Sequence, residues 1–320
     1  MKSKVCVLGA GHWGMALASV LANNQIVSVW ARDNEEINRI NTLHKSKYYP
    51  ESHTFSNLIK ADSNLDDCLQ ESEYIIISTP VKAIDSLVPY IQRHKRKYVI
   101  TCKGLYQGNV LSEYIARYAD PENIAVLSGP SFSDEIVSEK ATAVVVASEN
   151  DHLAKEIQEI FHTSYFRPYT SGDIKGVQLC GSLKNVYAIA AGMTDKLCAS
   201  SNMKSALLTR ALAELRKVVL INGGRIETLL GLAGLGDLML TCHSIKSRNY
   251  AFGYNYSGNI NTSITTEGIL TANEICALAK RSNVEMPIAE AVYDILYNGY
   301  SFFEKVETLM GRSLKDETTY

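Results

Sequence analysis

The sequence predicts an α/β chain: a doubly wound parallel sheet over residues 1–175, followed by an all-helical domain over 176–320. Three observations carry the prediction. Through the first half, short apolar runs alternate with segments at helical spacing, and continuously apolar strands belong in a parallel sheet covered on both faces. The first run passes straight into a glycine-rich turn and then a helical pattern. Proline punctuates the first half at Pro50, Pro80, Pro89, Pro121, Pro130 and Pro168, and returns only at Pro287; long helical patterns fill the second half.

Lys4–Leu8 is a short apolar strand, and residues 16–21 continue into a helix. Ile26–Trp30 is a second strand, and 34–43 reads as helix. Residues 74–78 form a strand ended by Thr79-Pro80, and 98–101 form another. Val110, Leu111, Tyr114, Ile115 and Tyr118 recur at helical spacing. Strands follow at 124–127 and Thr142–Ala147, and Leu153, Ile157, Ile160 and Phe161 mark a helix between Ala147 and Tyr165. In the second domain the helical patterns run over 177–193, 204–221, 272–281 and 288–296.

Composition excludes several classes. Hydrophobic residues are 46% and charged residues 21%, a globular balance rather than that of a disordered chain or coiled coil. A net charge of −2 argues against a broad nucleic-acid-binding face. Seven cysteines, an odd number with none at CxxC spacing, are neither a disulfide framework nor a zinc ligand set, so a reducing cytoplasm is expected. The seven histidines show no metal-binding spacing, and no metal is expected. Lys2 and Lys4 before the apolar stretch 5–22 superficially resemble a signal peptide, but Gly9, Gly11, His12 and Gly14 interrupt it; no membrane span is expected.

The interruption is itself a motif. Gly9-Ala10-Gly11-His12-Trp13-Gly14 is G-x-G-x-x-G between a strand and a helix, the context in which it binds a dinucleotide. The first glycine makes the tight turn, the second lets backbone approach a pyrophosphate, and the third lets helix and strand pack closely. The helix N-terminus then faces the phosphates. After the second strand come Arg32 and Asp33. Asp33 reads as a helix N-cap rather than a ribose ligand. Arg32 is either a solvated surface charge or a partner for a ribose 2′-phosphate, which leans the site towards accepting NADP.

Hydride transfer to or from an alcohol needs a group to move the hydroxyl proton and cations near developing negative charge. Lys103 follows a strand, where ligands of such sheets bind; an ordinary loop lysine is its plain alternative. Gly129 and Ser131 follow another strand, and Ser131 reads as a helix cap as readily as a ligand. Lys184 and Asn185 lie well inside an apolar helical run, where a lysine without a partner is costly. Asp237, the one acid in a glycine-rich stretch, could orient or charge-stabilise Lys184. Ser247, Arg248 and Asn249 offer planar donors and an amide suited to a phosphate, with a surface ion pair as the alternative for Arg248.

Seven blocks, GAGHWG at 9–14, CKG at 102–104, SGPSF at 128–132, GSLKNVYAIAAGM at 181–193, GLAGLGDLMLTC at 231–242, SRN at 247–249 and EG at 267–268, stand in this order across nearly the whole chain. With them the sequence resembles the bacterial-type NAD(P)-dependent glycerol-3-phosphate dehydrogenases. The resemblance implies a Rossmann-type domain and a helical substrate domain, a cytoplasmic homodimer, and interconversion of sn-glycerol 3-phosphate and dihydroxyacetone phosphate in the supply of phospholipid synthesis. It implies Lys184 as proton acceptor, with Lys103 and Asp237 beside it in catalysis. It implies a substrate site of Lys103, Gly129, Ser131, Lys184, Asn185, Asp237, Thr241, Ser247, Arg248 and Asn249, with the last two on the phosphate. It implies cofactor contacts from Gly9, Gly11, His12, Trp13, Gly14, Arg32, Lys103, Ser133, Arg248, Thr265 and Glu267. Two positions depart from the pattern: Ser133 stands where relatives often have alanine, and Thr265-Thr266 where many have apolar residues. The alternatives are another short NAD(P)-dependent hydroxy-acid or hydroxyacyl dehydrogenase, which would lack the phosphate clamp, and a non-catalytic NAD-sensing module, which would not need Lys184 with Asp237.

Overall fold

The computed structural model describes residues 4–258, 266–314 and 316–317. The chain falls into two compact units, one made of Met1–Cys102 with Leu111–Ile174, the other of Lys103–Val110 with Lys175–Tyr320.

The strands are β1 (Lys4–Leu8), β2 (Ile26–Trp30), β3 (Ile59–Asp62), β4 (Tyr74–Ile77), β5 (Lys97–Ile100), β6 (Leu105–Tyr106), β7 (Asn109–Val110), β8 (Ile124–Ser128), β9 (Thr142–Ala147) and β10 (Phe166–Ser171). All but β6 and β7 form the sheet of the first unit, in the order β10-β9-β8-β5-β4-β1-β2-β3. The chain winds outward from β1 to β2 and β3, then crosses to β4 on the other side of β1. That reversal is the point at which doubly wound sheets bind ligands. The central strands are apolar because both faces are covered: every residue of β4 and β8 is buried, as are Val5 to Leu8.

Three details differ from the sequence expectation. β9 runs antiparallel to β8, whereas the other neighbouring pairs of this sheet are parallel. Between them lies only a five-residue helix, Ser133–Val137. The two edge strands, β3 and β10, lack the continuous apolar signal, since an edge strand alternates buried with exposed residues. Pro168 is tolerated in β10 because that strand lies at the sheet edge. The helix expected over 34–43 is α-helical only over Asn34–Asn38 and passes into a π-helical turn, Arg39–Leu43.

The second unit is helical apart from the β6–β7 hairpin. Its axis is the 24-residue helix Ile174–Leu197, in which every residue from 176 to 194 is buried; a helix apolar around its circumference must be enclosed by others. Helices Ser201–Ile221, Glu267–Ser282 and Pro287–Tyr297 contribute to the same core. Helix Arg248–Tyr254 crosses the axial helix on glycine: a Cβ on Gly192 would overlap the Tyr250 carbonyl, and one on Gly253 would overlap the Ile189 carbonyl. No helix among the described residues is long and apolar enough to cross a membrane. All seven cysteines are free thiols.

Candidate active site

The glycine loop joins β1 to helix His12–Leu21. Gly9 has φ of 114°, a left-handed conformation that favours glycine. A Cβ on Gly14 would overlap the Gly9 carbonyl, so the third glycine allows the helix to meet the turn. A Cβ on Gly11 would meet nothing within 4 Å, and the helix it begins has no side-chain cap. Open space above an uncapped helix N-terminus fits a pyrophosphate. The Trp13 indole donates to the Thr101 carbonyl at 3.2 Å, tying the helix to the end of β5. The His12 ring lies against Tyr48 and Tyr49, with centroids 5.0 and 5.6 Å away, and the Tyr49 hydroxyl donates to the His12 carbonyl at 2.5 Å. Nothing in the sequence singled out Tyr49.

Asp33 caps helix Asn34–Asn38, accepting from the Glu35 and Glu36 amides, and pairs with Lys47. The Lys47 ammonium, with those amides, holds its carboxyl below the usual range. Arg32 beside it is exposed. Gly129 has φ of 134°, and a Cβ there would come within 3.0 Å of the Val144 Cα, so backbone packing alone requires a glycine. Ser131 does not cap the following helix. Its hydroxyl donates to the Gly129 carbonyl at 2.9 Å, and Phe132 occupies the cap position without a side-chain bond. Ser133 is the first residue of that helix and half-buried. Thr265 lies outside the described residues; Glu267 opens helix Glu267–Ser282.

In the second unit the sequence candidates converge on one carboxylate. Residues Leu232–Gly236 form a π-helical turn, closed by a bond from the Gly236 amide to the Gly231 carbonyl at 3.1 Å. Gly234 is needed there because a Cβ would overlap the Leu229 backbone. The turn delivers Asp237 as the first residue of helix Asp237–Cys242. Its carboxylate is 1% exposed. Lys184 donates to Asp237 Oδ1 and, at 2.7 Å, to the Thr241 hydroxyl, while Lys103 donates to Asp237 Oδ2 at 2.7 Å.

A chain of amides runs beside this cluster. Asn185 Nδ2 donates to the Lys103 carbonyl at 3.3 Å, Asn249 Nδ2 donates to Asn185 Oδ1 at 2.9 Å, and the Gly268 amide donates to Asn249 Oδ1 at 2.9 Å. Gly268 went unremarked in the sequence beyond its place in a motif, yet a Cβ would come within 2.6 Å of Asn249 Oδ1. Ser247 is buried and accepts the Tyr250 amide as N-cap of helix Arg248–Tyr254, whereas Arg248 is exposed.

Burial dominates the protonation of Lys184. It drives the ammonium down to about 7, assisted by the Lys103 charge and opposed by Asp237. An isolated ammonium in this position would be too costly to keep charged. One carboxylate shared with a second cation leaves Lys184 poised near neutrality, the condition for moving a proton in either direction. Among the described residues no group of three or more His, Cys, Asp or Glu side chains is placed to hold a metal ion.

Comparison with known proteins decides the family. The N-terminal domain of NAD-dependent glycerol-3-phosphate dehydrogenase matches residues 4–154, and the C-terminal domain of the same family matches residues 173–307. A glycerol-3-phosphate dehydrogenase [NAD(P)+] of Macrococcus caseolyticus is 38% identical, covering 98% of this chain and 99% of its own. The chain belongs to the NAD-dependent glycerol-3-phosphate dehydrogenase family. Membership bears out the doubly wound and helical fold class, the oxidoreductase reading and the nicotinamide cofactor. A Bacillus anthracis glycerol-3-phosphate dehydrogenase [NAD(P)+] is 37% identical over 98% of this chain and 97% of its own. The crystal structure of glycerol-3-phosphate dehydrogenase from Coxiella burnetii superposes with a TM-score of 0.90 at 34% identity, covering 97% of this chain and 99% of its own. A D-mandelate dehydrogenase solved with NADH shares the fold alone, with a TM-score of 0.63 at 15% identity over 97% of this chain and all of its own.

Proposed function

We propose that the chain interconverts sn-glycerol 3-phosphate and dihydroxyacetone phosphate with NAD(P), and that Lys184 carries the proton. The observation that supports this most is a single buried carboxylate, Asp237, shared by Lys184 and Lys103. When bound, the nicotinamide gives or takes the hydride at C2 of the substrate. In the reducing direction the Lys184 ammonium donates its proton to the oxygen that was the carbonyl, and neutral Lys184 is reprotonated from solvent. In the oxidising direction neutral Lys184 takes the hydroxyl proton. Lys103 places a second positive charge where alkoxide character develops. Asp237 and Thr241 fix the Lys184 amine, and Asn185 and Asn249 fix the backbone that carries Lys103. Arg248 holds the substrate phosphate by charge-assisted bonds. Gly9, Gly11, His12, Trp13 and Gly14 hold the dinucleotide, with Arg32, Ser133, Thr265 and Glu267 contributing around it.

On this reading residues 1–175 serve as the cofactor domain and 176–320 as the substrate domain. The protein works in the cytoplasm as a homodimer and supplies glycerol 3-phosphate for phospholipid synthesis. An NAD-sensing module has no use for the buried lysine–carboxylate cluster, and a hydroxy-acid dehydrogenase would turn Arg248 to a substrate carboxylate rather than a phosphate, which the choice of substrates below separates. The test is NADH and NADPH consumption by the purified chain with dihydroxyacetone phosphate, beside unphosphorylated dihydroxyacetone and a 2-keto acid. Turnover is expected with the phosphorylated ketone at least a hundredfold above the others, since a lost phosphate contact removes remote binding energy spent on alignment. No consumption with dihydroxyacetone phosphate and either cofactor would refute the reading.

A further inference from the structure

Lys103 is the one member of the acid–base cluster that no helix carries. It stands at the start of a short segment, Lys103–Val110, that belongs to the helical unit although the residues on both sides of it belong to the other. The segment folds as the β6–β7 hairpin, whose loop residues Gln107 and Gly108 have φ of 51° and 68°. Two successive left-handed residues define the tight turn that matches strand twist, but glutamine is strained in the first of them. A two-stranded ribbon of two-residue strands is unstable by itself. Something else must hold this one.

Helix Glu267–Ser282 does so. The Gly108 amide donates to the Glu274 carboxylate, and the Arg281 guanidinium donates to the carbonyls of Gly108 and, at 3.4 Å, Gln107. Both polar groups of Gly108 are therefore taken by side chains two turns apart on one helix. A Cβ on Gly108 would come within 2.8 Å of the Arg281 guanidinium. Behind the turn, Leu105 and Val110 are buried in the helical core. At its first turn the same helix presents Gly268 to Asn249, which holds Asn185, which holds the Lys103 carbonyl. One rigid helix thus fixes the segment at both ends.

We infer that Glu274 and Arg281 are positioning residues for the reaction, clamping the 107–108 turn so that Lys103 is held on Asp237. The inference rests on the function proposed above. Neither residue is among the groups assigned to substrate or cofactor, and Arg281 is exposed, so its removal leaves the core intact. Releasing the clamp lets the Lys103 ammonium drift from Asp237, which then serves Lys184 alone. The loss of a neighbouring positive charge raises the basicity of Lys184. The clamp therefore has a signature that a merely structural contact lacks.

The test compares the parent with Arg281→Ala, Glu274→Ala and the conservative Glu274→Gln, which keeps an acceptor for the Gly108 amide. Steady-state kinetics with dihydroxyacetone phosphate and NADH are measured across pH 6–9. Arg281→Ala and Glu274→Ala should lose roughly 10- to 100-fold in kcat/KM for the ketone, the cost of ångström-scale misplacement. The KM for NADH should stay within about twofold, and the kcat pH limb should move to higher pH. Glu274→Gln should recover most of the loss. A parent without activity would refute the function itself. An active parent with unchanged ketone kinetics in both alanine variants, or with losses shared equally by NADH and ketone at an unmoved pH limb, would overturn the clamp. If Glu274→Ala proves too unstable to assay, Arg281→Ala decides alone.

Discussion

Arg248 stands exposed at the first position of a helix whose cap, Ser247, is buried, so its guanidinium is free to reach a phosphate while its backbone is fixed. Arg248→Ala should weaken transition-state binding by about 2 kcal/mol, the worth of a charge-assisted contact, mainly as a higher KM for dihydroxyacetone phosphate. An unchanged kcat/KM would take the arginine off the phosphate. Arg32 is the corresponding cation on the cofactor side. Asp33 beside it is committed to Lys47 and a helix cap rather than to a ribose. The protein should accept NADPH at least as well as NADH, and Arg32→Asp should reverse the ratio of kcat/KM values through like-charge repulsion; an unmoved ratio would show that Arg32 serves only solvent. The sequence disclosed Lys184 because an ammonium amid apolar neighbours needs a reason. It did not disclose that Lys103, 134 residues from Asp237 in the chain, shares the same carboxylate. Asn249 read as a phosphate ligand, yet its carbonyl accepts the Gly268 amide and one of its amide hydrogens goes to Asn185.

Among elements, the crossing of helices Ile174–Leu197 and Arg248–Tyr254 sets the site. Gly192 and Gly253 bring the two backbones into contact and with them the Asn185–Asn249 bond. Gly253→Ala should force the helices apart, costing roughly 1–3 kcal/mol of stability as overpacking does and raising the KM for the ketone. Denaturant unfolding beside substrate kinetics checks both; a variant equal to the parent in each would show that the crossing yields freely. The two glycines were not read as a pair because close backbone approach between helices leaves no periodic mark. The central strands were legible because burial on both faces makes them continuously apolar. β3 and β10 were not, because an edge strand keeps one side for solvent and carries polar residues there. The reversal of β9 is a matter of chain direction, which apolar periodicity does not report.

At the scale of the molecule, pH acts through two buried groups. Glu214, on helix Ser201–Ile221, accepts the amides of Ile288 and Ala289 at 2.6 and 3.3 Å and the Tyr187 hydroxyl at 3.1 Å, joining three helices. Burial pushes its carboxyl up to about 7 despite those bonds. Between the ordinary carboxylate range and about 7 the folded chain holds a proton that the unfolded chain has lost, so stability falls as pH rises through that window. The loss is on the order of 3 kcal/mol and is complete above about 7. Lys184 acts above that window with the opposite sign: lowered to about 7, it gives stability that rises with pH from there towards the ordinary lysine range. Denaturant titrations from pH 5 to 8 should show the parent losing stability relative to Glu214→Gln; parallel profiles would contradict the assignment. Turnover by Lys184→Ala, measured beside a fluorescence titration of NADH binding, tests whether Lys184 moves the proton. In the variant kcat should fall by roughly 10²- to 10⁴-fold, the usual worth of a general acid–base group, with the NADH dissociation constant nearly unchanged. Activity within tenfold of the parent would contradict it.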